Sequence, residues 1–122
     1  MEWTFRADAP IYTQLCEQLT VAVVSGLFRP GERLPTVREL AVDAGVNPNT
    51  VQRALSELER DGLVYSQRTT GRFVTDDAVR IEQERRRLAE ERAGDFLAAM
   101  EKLGYNRIQT VMLLEKMGGE EQ

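Results

Sequence analysis

The chain has 122 residues, room for one compact domain and an appendage, and its 42% hydrophobic content is that of an ordinary globular protein. There is no histidine and a single cysteine, so zinc sites and most acid–base catalysis lack their customary side chains, and no glycine-rich phosphate loop replaces them. A net charge of −4 and a pI near 5.0 argue against a uniformly basic nucleic-acid binder.

Taken in order, Trp3 and Phe5 alternate with polar residues and predict a short strand or a plug against the body, since exposed aromatics cost solubility. Pro10 opens a helix whose Ile11, Leu15, Leu19, Ala22 and Val23 recur at helical period and predict an inward stripe. Cys16 lies inside this helix and is expected to be a small packing residue.

Thr36 stands three residues before Glu39, the spacing of a reciprocal capping box, and Val37, Leu40 and Ala41 follow on one face. Gly45 supplies the positive φ of a tight turn, with Val46 plugging the angle between two helices. Asn47 caps the second helix and Pro48 takes its first position, where a missing N–H costs nothing. Val51, Ala54, Leu55 and Leu58 share one face of it, which leaves Asn49, Thr50, Gln52 and Arg53 on the other.

Asp61 and Gly62 end that helix. Leu63–Tyr65 and Arg72–Val74 predict two short strands around a polar turn from Gln67 to Gly71, with Arg68 and Arg72 at the tip. Two helices joined by a glycine turn and followed by a wing form a winged helix-turn-helix, which presents its second helix to the major groove of double-stranded DNA. Arg38 projects from the support helix near the place where such helices cross the backbone. A winged helix that docks a protein and reads no operator is the alternative.

The words GLFRPGERLPTVRELA at 26–41, AGVNPNTVQRALSELERDGLVY at 44–65 and TGRFV at 70–74 together resemble the GntR family of bacterial transcription regulators. The resemblance implies that the turn at Pro30 and Gly31 positions Leu34 and Pro35 for the support helix. It also implies DNA contacts from Arg38, from Pro48, Asn49, Thr50 and Gln52 in the recognition helix, and from Arg68, Thr69, Thr70, Gly71 and Arg72 in the wing. Arg53, on the same outward face, joins the expected DNA-binding set. Relatives carry arginine where this chain has Pro48 and Gln52, so guanine reading by arginine is unavailable there. Asn49 or Gln52 would favour adenine edges.

After Val74, Asp76 and Asp77 read as an acidic linker and a charged helix is expected from about Val79 to Leu103. Gly104 breaks it and Asn106 caps a last helix before GGEEQ frays. Arg85, Arg86 and Arg87 are expected to pair with Glu82, Glu84, Glu90 and Glu91 at three- and four-residue spacing. Phe96, Leu97, Met100 and Leu103 on one helix, and Ile108, Val111, Met112, Leu114 and Met117, expected to mark the buried face of the other, form more apolar surface than a two-helix hairpin hides. The first eight of these are expected to pair with a second copy, giving a homodimer. The tail resembles the short dimerising tail of the YtrA subfamily and is too small to enclose a pocket of about 300 Å³.

The expected architecture is therefore mainly α with a small β wing: a winged helix-turn-helix over residues 1–75 and a two-helix dimerisation tail over 76–122. The acid lies mostly in the tail, since residues 1–75 hold 8 basic and 9 acidic side chains against 8 and 11 in residues 76–122. The expected function is a sequence-specific transcription regulator, a repressor on an inverted-repeat operator, with no cofactor or metal. No apolar run approaches the length of a membrane span and no leader is visible, so a cytoplasmic location is expected. The sequence leaves open whether a small-molecule effector exists.

Overall fold

The computed structural model describes residues 1–118; of the GGEEQ segment expected to fray, residues 119–122 lie outside them, while Gly118 is the last residue of a helix. The elements in order are α1 (Ile11–Val24), α2 (Val37–Ala44), α3 (Pro48–Arg60), β1 (Val64–Gln67), β2 (Gly71–Val74), α4 (Ala78–Lys102) and α5 (Arg107–Gly118). The chain is mainly helical with one small antiparallel sheet, as its sequence predicts. Its contacts define two compact units, one reaching from Met1 to Arg85 and the other beginning at Arg86.

In the first unit α3 is the hub, packed by α1 on one side and α2 on another. Leu15, Leu19 and Val23 of α1, Leu40 and Ala41 of α2, and Val51, Ala54, Leu55 and Leu58 of α3 form one buried cluster, closed by Leu34, Val64 and Val74. Each leucine fully withdrawn from water contributes about 2 kcal/mol. Ile11 departs from the expected stripe and is 38% exposed. Tyr12, one residue on, turns toward the core in its place, and its ring also carries the Arg53 guanidinium at 3.9 Å.

The helix ends follow from their residues. Thr36 Oγ1 accepts from the Glu39 amide at 3.1 Å while the Glu39 carboxylate accepts from the Thr36 amide at 2.9 Å, completing the capping box. Gly45 then adopts φ +68°, a left-handed conformation that lets α3 set off in a new direction. Asn47 Oδ1 accepts from the Asn49 amide at 2.7 Å, and Pro48 occupies the first helical position.

β1 and β2 pair antiparallel with Val64 opposite Val74 and Gln67 opposite Gly71, so Gly71 belongs to a strand and the loop shrinks to residues 68–70. The wing also has a third edge that periodicity does not reveal. Leu34 N–H donates to Arg72 O and Val74 N–H to Glu32 O, both at 2.9 Å, and Arg33 bridges Phe73. On the outer side Tyr65 stacks on Phe73 with centroids 5.7 Å apart.

The amino-terminal segment forms no strand; it is the plug. Trp3 and Phe5 stack at 6.2 Å and pack on the core, and Trp3 Nε1 donates to Asp43 Oδ2 at 2.7 Å. Side-chain amides of α1 act as surrogate peptide groups for it. Gln18 accepts from the Thr4 amide and donates to Thr4 O, and Gln14 does the same for Arg6.

The acidic linker proves to be a cap. Asp77 Oδ1 accepts from the amides of Val79 and Arg80 at 3.1 and 3.2 Å and so starts α4. In its first turns Ile81 packs on the core, Arg80 Nε donates to Asp61 O at 2.8 Å, and Arg80 Nη2 meets the buried Glu84 at 3.2 Å. The arginine run that follows is a surface face: Arg86 pairs with Glu90 at 2.9 Å, Arg87 with Glu91 at 3.0 Å, and Arg85 with Glu82.

In the second unit Gly104 ends the long helix with φ +93° and Asn106 caps α5 through a reciprocal exchange with Gln109, both bonds 2.8 Å. The single inward face expected for α5 is not what forms. Ile108, Met112 and Met117 are 71%, 64% and 59% exposed, Val111 and Leu114 are exposed too, and the fully buried residue is Thr110. The reason is spacing: at 100° per residue these five, with Leu113, spread around most of the helix. Phe96 on α4 and Leu103, one residue past its end, are exposed, and Leu97 and Met100 on α4 are half-buried.

Candidate nucleic-acid interface

The polar edge of α3 is left clear by the packing of its apolar face. Pro48, Asn49, Gln52 and Arg53 are exposed and Thr50 half-exposed, all within the first two turns. Asn49 lends its backbone to the cap and keeps its side chain outward. Arg38 stands exposed in the first turn of α2. The Arg53 guanidinium is already engaged, over Tyr12.

The wing supplies Arg68, Thr69 and Thr70 as its loop, all exposed. Thr70 is steadied by Gln67, whose carbonyl accepts from the Thr70 amide and whose Oε1 accepts from Thr70 Oγ1, both at 3.2 Å. Thr69 holds φ +70°, a left-handed conformation that a β-branched residue seldom adopts. Gly71, at φ +117°, passes so close to Arg33 that a Cβ there would lie 3.1 Å from its Nε.

Arg72 is not at the tip. It lies on β2 and turns back toward α3, where its Nη1 donates to Gln52 Oε1 at 3.3 Å and its Nε to Glu59 Oε1 at 3.4 Å. Glu59 Oε1 also accepts from Ser66 Oγ at 2.7 Å. Arg33, Glu59 and Ser66 escape a sequence reading because nothing local marks them; their roles arise from strand pairing and from a helix-to-wing contact. Cys16 packs on the core as expected, and burial pushes its thiol up, outweighing the lowering from its hydrogen bond to Tyr12. It is therefore a protonated packing group.

The arrangement defines the class: a winged helix-turn-helix whose second helix keeps a polar, uncovered leading edge beside an arginine-bearing wing. Residues 11–74 match the profile "Bacterial regulatory proteins, gntR family", and the chain belongs to that family. It is 36% identical over 107 residues to the uncharacterised regulator YhcF of Bacillus subtilis, covering 88% of each chain. It is 41% identical to the transcriptional repressor YtrA of the same organism, over 60% of this chain and 56% of that one. Among solved structures, a GntR family transcriptional regulator from Listeria monocytogenes superimposes with a TM-score of 0.85 at 38% identity, over 92% of this chain and 98% of that one. The DNA-binding domain of AraR in complex with operator ORX1 superimposes with a TM-score of 0.57 at 30% identity, over 62% and 96%. Membership makes the chain a DNA-binding regulator of transcription and not an enzyme. Among the described residues no helix is long and apolar enough to cross a membrane.

Proposed function

We propose that the protein is a homodimeric, cytoplasmic repressor that occludes a promoter by binding an inverted-repeat operator. The observation that carries this reading is the uncovered edge of α3, where Asn49 and Gln52 stand exposed while every apolar residue on the opposite face is buried. Base edges are read through Asn49, Thr50 and Gln52. Arg38, Arg68, Thr69, Thr70 and Gly71 hold phosphates or the adjacent minor groove, with Pro48 setting the approach of the first turn and Arg53 beside it. The repressor named YtrA and the operator complex of AraR support the same reading.

The dimer is supported by the apolar residues of α4, of α5 and of the turn between them. Phe96, Leu103, Ile108, Val111, Met112 and Leu114 remain exposed in the single chain, and twofold pairing would bury them together with Leu97 and Met100. Two recognition helices held this way meet half-sites one helical turn apart, roughly 34 to 36 Å. The test is a gel shift on DNA upstream of the protein's own gene at two salt concentrations, followed by footprinting. A discrete complex that weakens with salt and protects two symmetric half-sites is expected. Absence of any complex would favour a protein-docking winged helix.

A further inference from the structure

We propose that Arg72 is a positioning residue that orients Gln52 to read guanine in place of adenine; the proposal rests on the operator-binding reading above. A free glutamine offers both an acceptor and a donor, and its usual partner is adenine, whose N6 donates to Oε1 while N7 accepts from Nε2. In this chain Oε1 is engaged from the wing side by Arg72 Nη1 at 3.3 Å. A guanidinium has donors only, so rotating the carboxamide would set its NH2 against another donor. The oxygen is therefore held toward β2 and the NH2 group is turned away from the wing.

Arg72 is itself held. Its Nε reaches Glu59 Oε1 at 3.4 Å, and the same oxygen accepts from Ser66 Oγ at 2.7 Å. Ser66 and Arg72 are direct cross-strand partners, so both arms of the wing converge on one carboxylate of the recognition helix. The Arg72 side chain is 20% exposed, which shields the pair from competing water more than a free surface arginine would be.

A donor-only face selects the base with the most acceptors. Guanine presents O6 and N7, whereas adenine places an amino group beside N7 and cytosine presents an amino group alone. Thymine accepts at O4 but adds a methyl group. Gln52 should therefore specify guanine at one pair of each half-site.

The experiment is a selection from randomised operator sites with the full chain, followed by affinities on a base-substituted panel for wild type, R72M, E59Q and Q52A. Wild type is expected to prefer guanine over adenine at one pair by about tenfold. Q52A should lose discrimination at that pair alone. In R72M the preference there should collapse or move to adenine, and E59Q should shift it in the same direction to a smaller extent, because a neutral carboxamide holds Arg72 more weakly than a carboxylate does. An even loss of affinity across the panel in R72M would make Arg72 a phosphate contact and overturn the proposal. So would adenine at the Gln52-dependent pair in wild type, or no effect of Q52A on any pair. If wild type selects no sequence at all, the operator-binding reading itself fails, and that outcome is distinct from the others.

Discussion

Arg38 and Arg72 carry the same charge but stand in different surroundings, and different consequences follow. Arg38 is exposed in the first turn of α2, whereas Arg72 is tied to two side chains of α3. Replacing Arg38 by alanine should weaken binding to specific and random DNA alike and lower the slope of log affinity against log salt by about one, measured by fluorescence anisotropy across a salt series. A loss confined to one sequence would make it a base reader instead. Thr69 offers a test of the wing. Its φ of +70° costs about 1 kcal/mol for a β-branched residue, and asparagine tolerates that conformation better. Thr69→Asn should raise stability by about 0.5 kcal/mol in urea unfolding, with the hairpin register unchanged.

At the level of the element, the ends of α2 and α3 are written in the sequence and the side contacts are not. Thr36→Ala should cost about 1 kcal/mol, because it removes the acceptor for the Glu39 amide. Acid should loosen the same cap. The amide and hydroxyl of Thr36 hold the Glu39 carboxyl below its ordinary value, so its contribution is complete above the usual glutamate range and fades as the pH falls below it. Glu39→Gln should flatten that part of the stability–pH curve. Capping pairs and Asn-Pro signals are legible because both partners lie within three residues. The wing's third edge at Arg33, the hold of Gln14 and Gln18 on the first residues, and the Arg72–Gln52 contact join distant positions and have no periodic signature. The two aspartates after the wing show the same limit: acidic composition suggests a linker, and geometry makes Asp77 a cap. For α5 the apolar residues are countable in the sequence, but their angular spread leaves no single inward face, and a nearly all-round apolar helix forms.

For the whole molecule, the question is how weakly charged reading heads hold DNA. The first 75 residues carry 8 basic against 9 acidic side chains, so a single chain offers a small phosphate footprint, and the proposed pairing of two copies would double it. Leu97→Asp should therefore have two linked effects: a halved mass in sedimentation equilibrium and a loss of operator affinity greater than tenfold, because an unpaired charge would stand in an apolar interface. An unchanged mass would end the proposal that the tail pairs two copies.

The grip of Arg80 on the Asp61 carbonyl, together with Ile81 against the core and the buried Glu84, has a practical corollary. A gene fragment trimmed just after the wing would strip α3 of its terminal clasp and uncover apolar surface beneath it. An isolated reading head should instead be cut beyond Arg85, so that it carries the opening turns of the long helix with it.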